Sequence, residues 1–246
     1  MIKLELPEKP IELTNEKESE LVDEYKKNGT AVWKKDYISN ALLKMSKNKC
    51  AYSEQALNTQ SAYMEIEHFM NKDKYPDLVV RWGNLLPSCK KCNATKNRWD
   101  VVKDPIVNPL VDIPNEHLYV RAFRFYHKDV KGNNTIDAVA LNDREHFVTP
   151  RSVIGFRIAD SIETLLEAIT NANTNRKRNF YLNKIKNLLK ECGPNNVYSA
   201  VISTYILYEL DSYQQLKKFL MTNNLWDNEI DEIECILKSV ALPAPN

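Results

Sequence analysis

Glycine is scarce in this sequence, with five in 246 residues, while Lys, Glu, Leu and Asn are common. That balance excludes a glycine-rich architecture and tilts the expectation toward helix. A charge excess of either sign is also missing: the formal net charge is +1, so there is no global basic signal for nucleic acid. No apolar stretch approaches the length of a membrane span. The opening MIKLELPEKP lacks the charged and apolar regions of a signal peptide, so a cytoplasmic location is expected. Internal repeats and low-complexity segments are absent. Cysteine is limited to five residues with a single C-x-x-C pair, Cys89 and Cys92. That pattern excludes a disulfide scaffold and points to a reducing compartment and a metal site. Cys192 and Cys235 fall in apolar helical patterns and are expected in the core.

The balanced charge hides segregation. NEKESELVDE near the start and WDNEIDEIE near the end are acidic, and residues 71–103 run basic. Residues 175–190, NRKRNFYLNKIKNLLK, carry six cations and no anion. Such a run is either a solvated helix face or a stripe that meets phosphates. Asn15, with Glu18 at the capping-box position, predicts a helix ending near Gly29. Ile38, Ala41, Leu42 and Met45 predict a second helix on 34–48. YMEIEHF alternates as a short strand, DLVVRWGNLLPSC reads as a second strand, and KKCNATKNRW as a short helix. Prolines 105, 109 and 114 then impose an irregular path. YVRAFRFYHKD and NTIDAVALN predict the two arms of a hairpin, and five helices follow from about Ser152 to Ala241.

The residue types of 50–105 suit hydrolysis of a phosphodiester. That reaction needs a base for water, a divalent cation for the developing charge, and a group to orient the base. His68 suits the base, because imidazole titrates near neutrality. Glu67 and Asn93 offer oxygen to a hard cation such as Mg²⁺ or Mn²⁺. Asn84 can fix the histidine or its strand by hydrogen bonds, and Lys96 can hold a phosphate oxygen. Adjacent strand residues point to opposite faces. Glu67 and His68 therefore reach one ion only if the chain twists or bulges there. Trp33, Trp82 and Trp99 are expected as core anchors.

The order C-x-x-S, E-H, W-x-N-L-L, C-x-x-C-N-x-x-K resembles the HNH, or ββα-metal, nuclease motif. KCAYSE, IEHF, YPDLVVRWGNLLPSC, CNATK, NPLVDIPNEHL and TIDAVALN narrow the similarity to the PtuB family of Septu and retron-associated antiphage systems. The match runs over residues 30–155. The resemblance implies an α+β, mostly helical fold with a ββα-metal core. It would have an N-terminal arm and helices (1–47), the nuclease core with its following hairpin (48–150), and a C-terminal helical bundle (151–246). It further implies an HNH endonuclease with His68 as base supported by Asn84, and Glu67 and Asn93 on the cation. The reaction would leave 3′-hydroxyl and 5′-phosphate ends. DNA is the default substrate, and RNA, including tRNA in a retron-linked system, is the alternative. The implied partners are nucleic acid, an ABC-type ATPase (PtuA) and, in retron versions, a reverse transcriptase with its RNA–DNA product. A catalytically degenerate scaffold that binds the ATPase is the competing class. His117, in PNEHL, is a candidate for phosphate binding or for a structural hydrogen bond. Arg151 is expected to pair with a core carboxylate or a partner chain.

In the resembled family, two C-x-x-C pairs hold structural zinc. Here Ser53 replaces the fourth cysteine, and a serine hydroxyl lacks the softness and acidity of a thiol. Two arrangements stay open. Cys50, Cys89 and Cys92 hold zinc with water or Glu54 as fourth ligand, or packing and hydrogen bonds brace the unit without zinc.

Overall fold

Thr14, rather than Asn15, opens the first helix, α1 (Asn15–Asn28). Its hydroxyl accepts the Lys17 N–H at 3.2 Å, satisfying one of the amides that a helix start leaves unpaired. Gly29 ends α1 at φ +67°, where a residue without Cβ is unstrained. Helix α2 (Asp36–Ser46) turns Ile38 and Leu42 inward. They join Leu13, Leu21, Val32, Val79, Val80, Trp82 and Leu85 in one apolar cluster. Left-handed Lys47 and Asn48 then turn the chain toward Cys50.

This computed structural model describes residues 1–57 and 63–245. Strand β1 (Met64–His68) pairs antiparallel with β2 (Leu85–Cys89), placing Glu67 opposite Leu86 and Glu65 opposite Ser88. The second strand is shorter than the alternation predicts. Residues 76–84 form two 3₁₀ turns, Pro76–Leu78 and Trp82–Asn84. Pro76 pre-sets the first turn. The consecutive Val79 and Val80 are both fully buried, which a strand with one solvated face does not allow. Helix α3 (Lys90–Lys96) follows β2 directly.

After the single-turn helix α4 (Pro114–His117), strands β3 (Leu118–Arg121) and β4 (Arg124–His127) form the hairpin. NTIDAVALN is therefore not its second arm. Most of that stretch lies in helix α5 (Val130–Ala138), capped by Asp129, whose carboxylate accepts the Gly132 N–H at 2.7 Å. The real turn is Ala122–Phe123, with both residues at positive φ and neither a turn former. Burial explains it. The Phe123 ring packs against Phe156 and Tyr205, with centroids 5.3 and 4.6 Å away. It also fills the space where a Cβ on Gly155 would stand.

Helices α6 (Thr149–Thr170), α7 (Asn175–Lys190), α8 (Ser199–Thr204), α9 (Asp211–Thr222) and α10 (Asn228–Val240) complete the chain. The fold is thus α+β and mostly helical. It divides into one unit of Met1–Leu118 with His127–Leu141 and a second of Tyr119–Tyr126 with the rest from Asn142. In the second unit, Ile162, Ile185, Leu189, Ile202, Leu216 and Ile233 build the core. Arg151 is fully buried. Its guanidinium lies 4.8, 5.4 and 5.6 Å from the ring centres of Phe125, Phe147 and Tyr198, so aromatic faces meet part of the buried charge. Cys192 is buried as expected, whereas Cys235 is exposed, on the outer face of α10. Among the described residues, no helix is long and apolar enough to cross a membrane.

Candidate functional site

Strand alternation sorts the residues of β1. Glu65 and Glu67 share the face covered by α3, while His68 shares the other with Met64 and Ile66. On the α3 face, the Asn93 amide donates to Glu65 Oε2 at 2.5 Å. A carboxylate only accepts, so Nδ2 must face Glu65 and Oδ1 is left for another partner. Lys96 Nζ lies 2.5 Å from Glu67 Oε1 and donates to the His68 carbonyl at 2.9 Å. Glu67 and Lys96 are both buried. Burial pushes the Glu67 carboxyl up to about 7, against the downward pull of Lys96. Lys96, expected to hold a substrate phosphate, instead lies inside the protein with its ammonium on Glu67. The C-x-x-C-N-x-x-K spacing puts Asn93 and Lys96 three residues apart, on one helix face turned to β1.

On the other face, the His68 ring meets Trp33 edge to face, with centroids 4.8 Å apart. Its Nε2 is 2.9 Å from the Val79 carbonyl. A carbonyl only accepts, so Nε2 carries the proton and Nδ1 the lone pair. Burial lowers the ring's pKa to about 4, leaving it neutral at physiological pH. Asn84 does not touch the ring and secures the segment that does. Its Oδ1 accepts from Met70 N at 2.7 Å, and Nδ2 donates to Met70 O and Leu78 O at 3.1 and 3.0 Å.

A cavity of about 700 Å³ opens at this end of β1, and its lining includes Glu65, Glu67, His68, Asn93, Lys72 and Trp33. It therefore brings His68, Glu67 and Asn93 together although Glu67 and His68 leave the strand on opposite faces. Glu65 and Lys72 were missed in the sequence. Glu65 could have been found from period 2, because E-x-E puts two carboxylates on one strand face. Lys72, whose ammonium sits 5.4 Å from the Trp33 ring centre, had no local signal. His117 lies outside this cavity. Its Nδ1 is 2.6 Å from Asp129 Oδ2, a structural contact between α4 and the cap of α5. The Glu67 carboxylate and the Asn93 amide oxygen are hard oxygen donors of the kind a hydrated Mg²⁺ or Mn²⁺ takes.

The cysteines form a second centre. The sulfurs of Cys50, Cys89 and Cys92 lie within 4.8 Å of one another, and all three residues are buried. Ser53 stands beside the trio, with its hydroxyl 3.7 Å from Cys89 Sγ. Burial works against ionising Cys50, but the Cys89 and Cys92 thiols and the Ser53 hydroxyl outweigh it and hold Cys50 well below the usual thiol range. Cys50 raises Cys89 to about 12, and burial raises Cys92. The trio matches a soft divalent metal in size and chemistry. Glu54, one of the expected fourth ligands, is engaged elsewhere. Its Oε1 is 2.7 Å from the Met1 amine and its Oε2 3.6 Å from Lys49 Nζ.

No family model and no solved structure matches the chain. Curated relatives do. The chain is 42% identical over 234 residues to the Septu protein PtuB of Bacillus thuringiensis, covering 93% of this chain and 90% of that protein. It is 32% identical over 146 residues to the Septu protein PtuB of Bacillus mycoides (strain KBAB4), covering 46% of this chain and 49% of that one.

Proposed function

Because the chain belongs to the Septu PtuB family, we propose that it is a metal-dependent HNH nuclease, the effector of an antiphage system that includes the ABC-type ATPase PtuA. Its β1–β2–α3 segment is the ββα-metal core in this reading, and DNA is the default substrate. The observation that carries the proposal is the setting of His68. A neutral, tautomer-fixed imidazole shares a cavity with Glu67 and Asn93.

Each residue has a distinct task. The Val79 carbonyl holds Nε2–H, so Nδ1 takes the proton from water as the water oxygen bonds to phosphorus. The P–O3′ bond breaks and its electron pair leaves on O3′, which gains a solvent proton. The products are a 3′-hydroxyl and a 5′-phosphate. Glu67 and Asn93 would hold the cation, which when bound would stabilise charge on the phosphate and the leaving oxygen. Glu65 keeps the Asn93 amide turned the right way. Lys72, on the cavity wall, is the better placed cation for a phosphate, since Lys96 is buried. Zinc on Cys50, Cys89 and Cys92 would tie the entry to β1 to the start of α3.

His68→Ala is expected to abolish cleavage and cell toxicity while folding and PtuA binding persist. Cleavage should be assayed on DNA and on total RNA, with and without the genomic neighbours, with metal omitted as control. Full activity of His68→Ala would refute the nuclease reading. RNA products alone would favour the retron-type tRNA-cleaving alternative. One observation favours a catalytically silent, PtuA-binding scaffold: the buried Glu67–Lys96 pair, in which an ammonium already neutralises the expected cation ligand.

A further inference from the structure

We infer that the exposed face of α7 is a docking surface for single-stranded nucleic acid, carried by residues that do not line the cavity at β1. The fold neutralises only part of the cationic run. Lys186 pairs with Asp227 and Glu229 at 2.5 and 2.7 Å, and Lys190 with Glu229 at 2.6 Å. Arg178 donates to the Ala172 carbonyl at 3.1 Å. Arg176, Lys177 and Lys184 are exposed and have no carboxylate partner among the described residues. Positions 176, 180, 183, 184 and 187 return to one side of a helix. That side presents Arg176, Phe180, Asn183, Lys184 and Asn187, with Lys177 at its edge.

Helix stability does not account for this face. Arg176 and Lys177 sit in the first turn, where the macrodipole is positive and favours acids. Phe180 is 54% exposed, and the Lys184 ammonium lies 4.6 Å from its ring centre. Cations interleaved with an exposed ring match a ligand with repeated negative charge and flat apolar faces. Duplex bases hide their faces in the stack, so an accessible ring selects single strands. The residues from Arg176 to Lys184 extend about 12 Å along the axis, room for a few nucleotides. Asp160 and Glu191 border Lys184 in the groove beside α6, which ends the surface for the strand at Lys184.

The test uses the full chain in EDTA with fluorescent oligothymidylate and oligouridylate of about 20 nucleotides. Dissociation constants are measured across a salt series. The inference goes beyond the cleavage reading and does not require it, because binding without metal is scored even if nothing is cut. Removing three phosphate-neutralising cations in Arg176→Gln/Lys177→Gln/Lys184→Gln should lower the log–log salt slope by about 2. Phe180→Ala should weaken binding about tenfold with the slope unchanged. Thermal unfolding of the triple variant should be unchanged or higher, which separates lost binding from lost folding. No binding by the parent chain, or an unchanged affinity and slope in the triple variant, overturns the inference. Loss of PtuA co-purification with nucleic-acid binding intact also overturns it, and would make the face a protein interface.

Discussion

Asn84→Ala removes the side chain that ties the 69–78 segment to the start of β2. Asn84 is buried, and its amide satisfies the Met70 N–H, the Met70 carbonyl and the Leu78 carbonyl. An unpaired buried polar atom costs roughly 1–3 kcal/mol, and partial entry of water into the vacated space puts the total near 3 kcal/mol. Trp33, Trp82 and Trp99 all lie in the first unit, so tryptophan fluorescence mainly follows that unit during urea unfolding. With an m-value near 2 kcal/mol/M, the midpoint should fall by about 1.5 M. Cleavage should fall too, because Val79, whose carbonyl fixes the His68 tautomer, lies just beyond the loosened segment. Asn84→Asp sharpens the test. It retains an acceptor for Met70 N–H but sets a carboxylate oxygen against two carbonyls, so it should be no more stable than Ala. A midpoint shift under about 0.5 M in Asn84→Ala, or near-wild-type stability in Asn84→Asp, would refute the reasoning.

Metal analysis of protein prepared without chelators should find about one zinc per chain, since a tetrahedral zinc–sulfur site has ~3.8 Å edges and Ser53 Oγ is 3.7 Å from Cys89 Sγ. Ser53→Cys should retain that zinc longer against EDTA than wild type, and equal or faster loss would count against a shared site. Lys96→Met strands the Glu67 carboxylate and should cost about 3–5 kcal/mol; adding Glu67→Gln should restore at least half in urea unfolding, and no recovery would show the pair is not coupled. Lys186 and Lys190 hold Glu229 down at about 2. Its folded pKa lies below its ordinary value, so its contribution is complete above about pH 4.5 and fades as pH falls toward 2. Melting followed by circular dichroism should drop across that window, and less so in Lys186→Met.

Local structure was largely legible. Helices α1 and α2, β1, α3 and the five C-terminal helices follow from caps and apolar period, which depend on near neighbours. The misreadings have physical causes. The Ala122–Phe123 turn carries no turn former, because a buried ring pays for its positive φ. Helical α5 is masked by β-branched and apolar residues, and its cap, Asp129, follows directly on the alternating YVRAFRFYHK stretch. At the site, residue types pointed to His68, Glu67, Asn93 and Asn84, and the tertiary structure gathers the first three around one cavity. Lys96 was misassigned because helical spacing shows which face it occupies but not that this face is turned inward. Glu65 was visible in E-x-E yet overshadowed by the adjacent E-H.

By itself, the sequence determined the helical bias, the strand–strand–helix order, the three cysteines with Ser53 in the fourth place, and a donor set suited to a hard cation. Those properties reside in composition and short spacing. Only the tertiary structure decided that Lys96 neutralises Glu67, that Val79 sets the His68 tautomer, that Glu65 orients Asn93, and that Ser53 stands beside Cys89 while Glu54 faces away. Each of these is a pairing between residues distant in the chain. Burial and hydrogen-bond satisfaction select such pairings, and neither can be computed from neighbours along the sequence.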